Sequence, residues 1–458
     1  MKIRSKGSLS AVLGTCMVLC GITQQPLLGQ AAQHAPTLPK RDDRYKADIL
    51  LMVAHPDDDT GVLNYITRAS LDEGKRIAVI FTTRGNAGGN AAGMEQGKAM
   101  SDEREMEARR SLAVSGITNI WFLRGTDTAT QDVLHSLETL GHGEALEETV
   151  RIVRLTRPEV ILTWMPGYVV GENHGDHQAS SVVATEAFDL AGDPTVYPEQ
   201  VNAPRRYSDI NNYGEGLQPW QPKKLYFFSD ASHQAFLEHH GPKYLSSDVL
   251  HSKRVPIATL NKAAWDLYAT QTDPQVDYYV HMPDYFILAK SYVRSSMEGD
   301  VWEGIDPTPI GFHAAPGYRP ATRAPVSLEL GGPWAFYTKF QETHGLTSAL
   351  TFLKPQTALS STRSLWVPLL LHNDTDHARD ITLHSSLPKN WTPTPTDVIY
   401  RVEAHETYPA QLFLTAPAER EDDKNAPPQR LAWSISEGGK DAGVVALEVS
   451  LEYNGVPQ

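Results

Sequence analysis

Cysteine is nearly absent from this chain. Its 458 residues hold two, Cys16 and Cys20, and both lie in the one long apolar run near the start, residues 9–22. That run follows Lys2, Arg4 and Lys6 and precedes small residues at Gly29 and Ala31, the layout of an export signal spanning residues 1–31 and cleaved near Ala31. It falls short of the roughly 20 apolar residues that a membrane span needs. The expectation is therefore an exported chain, periplasmic or extracellular, with no transmembrane segment in its mature form. A lipoprotein reading through Leu13-Gly14-Thr15-Cys16 fits poorly because Thr precedes the Cys. A chain beginning after Ala31 would have no cysteine, which excludes disulfides, a thiol nucleophile and thiolate ligands. Any metal must then be held by His, Asp or Glu. Basic residues are also in deficit, 41 against 55 acidic, for a net charge of −14. Such a chain is a poor general partner for nucleic acid or an anionic membrane.

The remaining composition, 41% hydrophobic and 21% charged, is that of an ordinary soluble globular protein, and the length suggests two or three domains. From residue 47 the pattern alternates. Residues 48–54 (DILLMVA), 76–83 (RIAVIFTT), 119–123 (NIWFL), 159–165 (EVILTWM) and 224–228 (KLYFF) read as buried strands. Helical spacing covers residues 60–73, a helix is expected from an N-cap at Ser101 to about 115, and another over 144–156 stops before Pro158. A further helix is expected to begin at Asp176 or His177. Strands alternating with helices predict an α/β fold, a doubly wound and mostly parallel sheet over residues 45–315. Residues 193–222, rich in Pro, Asn and Tyr, read as a surface excursion. Residues 316–355 open with a proline-containing stretch and read as a linker or domain edge. From residue 356 to 458, short β runs separated by turn residues predict an immunoglobulin-like β-sandwich.

Two segments carry chemistry. Ala54-His55-Pro56-Asp57-Asp58-Asp59 directly follows the first strand, and His174-Gly175-Asp176-His177 closely follows the fourth. In a doubly wound sheet ligands sit at the carboxyl ends of strands, so these segments converge although about 120 residues separate them. His55 and Asp58, three apart across a turn, and His177 supply two imidazoles and a carboxylate. That set suits a divalent metal, with zinc expected and ferrous iron as the alternative, and leaves a position open for water or substrate. Asp57 adjoins a ligand but points elsewhere, which makes it the candidate general base. His174 is a candidate for stabilising an oxyanion or protonating a leaving amine, and Asp176 a candidate partner that would keep His174 cationic. Asp59 reads as a helix N-terminal acidic residue favoured by the dipole. His233, His239, His240, His251 and His281 lack partnering motifs and read as surface or core residues. The loop GNAGGNAAG at 85–93 follows the second strand rather than the first. Three aspartates occupy the position where a pyrophosphate would sit, so no nucleotide cofactor is expected.

The paired motifs resemble those of the PIG-L/LmbE family of zinc-dependent N-acetylglucosamine de-N-acetylases, over roughly residues 45–290. Thr83-Arg84-Gly85 and Arg104-x-x-Glu107 extend the likeness. The resemblance implies a Rossmann-like fold, a metal held by His55, Asp58 and His177, Asp57 as base, and His174 with Asp176 managing charge. It implies a substrate contact from Arg84, although an arginine on this loop could equally pin the loop to an acidic neighbour, and a structural role for Glu107. The activity it implies is metal-dependent hydrolysis of an amide on an N-acetylated amino sugar, the alternatives being hydrolysis of another acyl amide or glycan binding by a degenerate site, against which the full set His55, Asp57, Asp58 and His177 speaks. The chain departs from the family in having Asp59 where Glu is usual and Asn86 where Glu is usual.

Overall fold

The computed structural model describes residues 43–452, apart from 172–173, 202–214, 230–233, 320–322, 360–362, 397, 421–422 and 424–425. The expected leader, with Cys16 and Cys20, and His233 lie outside the described residues. No described helix is long and apolar enough to cross a membrane.

The N-terminal part is built on strands β1 (Ile49–Val53), β2 (Ile77–Phe81), β3 (Asn119–Phe122), β4 (Val160–Trp164), β5 (Lys224–Phe228) and β6 (Ile287–Ser291). Their order in the sheet is β6-β5-β4-β1-β2-β3. All neighbours are parallel except β6, which runs antiparallel to β5. Every residue of β1, β2, β4 and β5 is buried, as expected where helices cover both faces of a parallel sheet. Alternation divides these residues between two cores: Leu50, Met52, Ile80 and Ile161 face one, while Ile49, Leu51, Val53, Val79 and Leu162 face the other. Helix α1 (Leu63–Leu71) packs into the second core through Leu63, Ile66 and Ala69. Four further helices follow: α2 (Lys98–Val114), α3 (Val133–Leu140), α4 (His142–Thr156) and α5 (Gly175–Leu190). Helix α5 joins the first core through Ala179, Val182, Val183 and Ala187. Strand order reverses between β1 and β4, and that switch point opens a crevice at their carboxyl ends. Both motif segments emerge there.

Two boundaries differ from the expectation. Helix α2 begins at Lys98 behind Gly97, whose φ of 56° suits glycine. Ser101 thus sits inside the first turn, with its hydroxyl returned to the Gly97 carbonyl. Helix α3, which had no counterpart in the sequence reading, is capped by Asp132, whose side chain accepts from Leu134 N.

The C-terminal part has two sheets. One contains Val326–Leu330, Ser364–Asn373, Glu406–Thr415 and Thr392–Thr394; the other contains Gln356–Leu359, Lys440–Leu451, Gln429–Glu437, Arg379–Ser386 and Val398–Val402. Val367, Leu369 and Leu371 from the first share one core with Leu431, Trp433 and Ile435 from the second. Residues 316–355 contribute the strand Val326–Leu330, buried at alternate positions, and the helix Gly332–Thr343. That helix and the turns after it insert Phe340, Leu346 and Leu350 into the first core of the parallel-sheet part. A buried ionic knot reinforces the contact. Asp189 on α5 receives Lys290 Nζ at 2.6 and 2.7 Å and lies 2.7 Å from His344 Nδ1.

Phe340 therefore belongs to the stability of the sheet that carries the site. Phe340→Ala should cost about 3–5 kcal/mol through lost burial and a cavity. Denaturant unfolding followed by tryptophan fluorescence checks this, and an unchanged midpoint would contradict the shared core.

Candidate metal centre

The chain leaves β1 through Ala54 and turns sharply. Asp57 has φ 129° and ψ −22°, a conformation costly for a residue with a side chain and characteristic of functional sites. The turn is held by Asp58, whose Oδ2 accepts from Ala54 N at 2.8 Å, His55 N at 2.9 Å and Trp164 Nε1 at 2.9 Å. With Oδ2 so occupied, Oδ1 faces two imidazoles, 3.2 Å from His177 Nε2 and 3.5 Å from His55 Nδ1. Four donors placed tetrahedrally around zinc at its usual bond lengths lie about 3.3 Å apart. Asp58 Oδ1 lies from each of these nitrogens at the spacing of donors that share an ion. The hard carboxylate and borderline imidazole donors fit zinc or iron.

The far side of the His55 ring is held by carboxylates. Its Nε2 lies 3.1 Å from Asp127 Oδ1 and 3.3 Å from Asp176 Oδ2, which orients the ring and turns Nδ1 towards Asp58. Asp176 is anchored by Thr128, accepting from its N and its Oγ1 at 2.9 Å each. This corrects the expected pairing of Asp176 with His174. The first turn of α5 aims Asp176 at the loop after β3, so it positions His55 instead. His174, partly buried, keeps ring-centroid distances of 5.2 Å to His55 and 5.5 Å to His177. Nitrogens of these three histidines lie within 4.8 Å of one another, as do donor atoms of His55, Asp127 and Asp176.

The electrostatics separate the roles. Burial, and then the adjacent Asp58 carboxylate, hold the Asp57 carboxyl well above the ordinary carboxylate range. Burial would also raise Asp58, but His177 and then His55 overcome it and keep that carboxylate well below the range. Burial opposes a charged His55, yet Asp58, Asp127 and Asp176 together lift it well above an ordinary histidine. For His174, burial followed by repulsion from His55 and His177 lowers the pKa, and the charge of Asp176 is a lesser influence. His174 is thus directed towards the neutral form rather than the cationic one expected. Asp59 is fully buried and accepts from Tyr268 Oη; burial pushes its carboxyl up to about 7.

Several contributors escaped the sequence reading. Trp164, the last residue of β4, stacks on His177 at 4.3 Å with planes 10° apart, and its indole N–H holds Asp58. Its position at a strand end was the available signal. Asp127 lies in a loop without a motif. Arg84 does not join the site: its Nη1 lies 3.1 Å from Glu105 and 3.8 Å from Asp102. It lines a separate shallow depression with Asn86 and Lys98. Two carboxylates on α2 hold the guanidinium, which is the pinning to an acidic neighbour that was the alternative expectation for it. Arg104 donates to the carbonyls of Gly85 and Gly89 at 2.6 and 2.7 Å and shapes the glycine loop. Glu107 receives Thr270 N and Oγ1 at 2.9 and 2.6 Å. A cavity of about 1070 Å³ opens over His55, Asp57, Asp58, His174 and His177.

Residues 50–188 match the sequence model of the family described as PIG-L, GlcNAc-PI de-N-acetylase. The chain is 27% identical over 192 residues to 1D-myo-inositol 2-acetamido-2-deoxy-alpha-D-glucopyranoside deacetylase 1 of Catenulispora acidiphila, covering 39% of this chain and 56% of that protein. It is 25% identical over 301 residues to the mycothiol S-conjugate amidase of Streptomyces coelicolor, covering 56% and 97% respectively. Among solved structures, N,N'-diacetylchitobiose deacetylase from Pyrococcus horikoshii aligns with TM-score 0.39 and 17% identity, over 54% of this chain and 86% of that one. A likeness that distant carries no argument about activity. The matches to the first three curated relatives span 56%, 60% and 56% of their lengths.

Trp164→Phe preserves a ring over His177 but deletes the N–H to Asp58. Zinc affinity, measured by chelator competition, should fall about 10–100-fold with the fold intact. Unchanged affinity would show that Asp58 does not depend on this brace.

Proposed function

We propose that this chain is an exported zinc-dependent hydrolase that removes the N-acetyl group from an N-acetylglucosamine-containing glycan or glycoconjugate. The observation that carries the reading is the approach of Asp58 Oδ1 to both His55 Nδ1 and His177 Nε2 at the spacing of donors that share an ion, beside an Asp57 with a strained backbone and a raised proton affinity. The match of residues 50–188 to the PIG-L family supports the substrate class, as do relatives named as a deacetylase and an amidase. Export rests on the leader-like start of the sequence. The C-terminal part, with two sheets over one core, is read as an immunoglobulin-like sandwich appended to the hydrolase.

His55, Asp58 and His177 would hold the metal. Bound there, it supplies Lewis-acid activation of water and of the acetamide carbonyl. Asp57 accepts a proton from the attacking water, and its raised proton affinity favours that transfer. His174, as a neutral imidazole, donates a hydrogen bond to the carbonyl oxygen as negative charge develops on it. Asp127 and Asp176 keep the His55 ring in register through Nε2. The C–N bond breaks as Asp57 returns its proton to the departing nitrogen, giving acetate and a free amino sugar.

Acetate release and metal content, measured together, test these roles. Asp57→Asn should retain metal and lose at least about 10²-fold in turnover, whereas His55→Ala should lose both. An active Asp57→Asn enzyme would overturn the base assignment. Absence of acetate release over a broad panel of N-acetylated sugars would favour another acyl amide.

A further inference from the structure

The cavity does not end at the candidate metal centre. Its floor carries His55, Asp57 and Asp58, while its outer wall is built by the helices Ile257–Trp265 and Val276–Val280 and the segment between them. Trp265, Tyr278 and Tyr279 line that wall. Trp265 and Tyr279 lie with planes 16° apart and centroids separated by 6.1 Å, and Tyr278 stands at 67° to Tyr279, 5.7 Å away. Tyr278 is 57% exposed and Tyr279 38%. Helix Val276–Val280 could bury these rings, yet they face an opening that already leads to a site. Grouped aromatic exposure of that kind marks a binding surface.

Size and charge narrow the occupant. About 1070 Å³ lies at the upper end of the ~300–1,000 Å³ typical of small-molecule sites, more than one acetamido ring at the metal requires. Arg104 is the sole Lys or Arg among the described lining residues, and its guanidinium is engaged by the Gly85 and Gly89 carbonyls. Asp273 adds a further carboxylate at the outer wall, beside Thr272 and Gln275. Among the described lining residues a phosphorylated ligand would meet several carboxylates and a single guanidinium, two of whose nitrogens are already bonded to carbonyls. A pyranose ring offers an apolar C–H face that stacks on an aromatic ring, and hydroxyls that pair with Asp, Thr and Gln side chains.

Resting on the deacetylase reading, we infer that Trp265, Tyr278 and Tyr279 form a stacking subsite for a second or third sugar ring. The substrate is then a neutral N-acetylated oligosaccharide rather than a monosaccharide or an anionic glycolipid headgroup. The rings hold the sugar beyond the one being cleaved, and their contribution appears as affinity for longer chains.

Calorimetric titration of the full-length Asp57→Asn protein, loaded with zinc, tests this without turnover. The probes are N-acetylglucosamine, its β-linked trisaccharide and an N-acetylglucosaminyl inositol phosphate. The trisaccharide should bind at least about tenfold more tightly than the monosaccharide. Tyr278→Ala or Trp265→Ala in the same background should remove most of that difference, while Tyr278→Phe keeps it. Tyr278 is exposed enough for its removal to leave the fold intact, which circular dichroism verifies. The inference is overturned if the trisaccharide gains nothing over the monosaccharide, if Tyr278→Ala leaves its affinity unchanged, or if the phosphorylated probe binds best. Acetate release by the unsubstituted protein is assayed in parallel. Ring-dependent trisaccharide binding without acetate release would sustain the subsite and overturn the deacetylase reading alone.

Discussion

The organisation of the site depends on one carboxylate whose two oxygens do different work. Asp58 Oδ2 is saturated by three N–H groups, two from its own turn and one from Trp164 on the neighbouring strand. Those bonds close the sharp turn after β1 and tie it to β4 across the switch point of the sheet. Oδ1 is consequently held towards His55 and His177. A buried carboxylate left without such donors would be driven to the neutral form. Here the two imidazoles and the N–H cradle keep it anionic despite burial. The neighbouring Asp57 lacks that cradle among the described contacts and moves the other way. Adjacent residues of one type thus acquire opposite proton affinities from their surroundings.

The same economy governs the histidines. His55 is gripped on Nε2 by Asp127 and Asp176, so its orientation is set before any ligand arrives. His177 is set by packing instead, lying flat against Trp164. His174 has, among the described contacts, neither a carboxylate pair nor a stacked indole; its burial and the two other imidazoles beside it disfavour its protonation. The proposed division into metal-holding, proton-accepting and oxyanion-binding side chains follows from these three kinds of support. The C-terminal part contributes indirectly. Asp189, at the far end of the helix that opens with Asp176 and His177, is locked to Lys290 and His344, and Phe340 completes the core beneath that helix.

Much of this was legible in the sequence because its signals are local. A buried parallel strand needs a continuous apolar run, so β1, β2, β4 and β5 could be read almost to the residue. The segments around His55 and His177 could be recognised because each follows such a run, and strand ends in this sheet type share one edge. The six-stranded order with its reversal between β1 and β4 brought the two segments together as expected. Helix α3 and the helix Gly332–Thr343 were not read. The first carries local signals that were passed over, an N-cap at Asp132, apolar Val133, Leu137 and Leu140 at helical spacing and Gly141 at its end, and the second buries only Phe340 of its own residues.

What the sequence determined by itself was the chemical inventory: imidazoles and carboxylates, cysteine confined to positions 16 and 20, an acidic surplus, and two motifs bound to converge. Periodicity and turn chemistry suffice for that. Tertiary structure decided the partners. Asp127, in a motif-free loop, reached His55; Asp176 turned to His55 and Thr128 instead of His174; Arg84 was drawn to Glu105 and away from the cavity. Trp164 became the brace of Asp58 because strand order placed it there. Each of these is a competition between contacts distant in sequence, settled by distances of a few ångströms that no local pattern encodes.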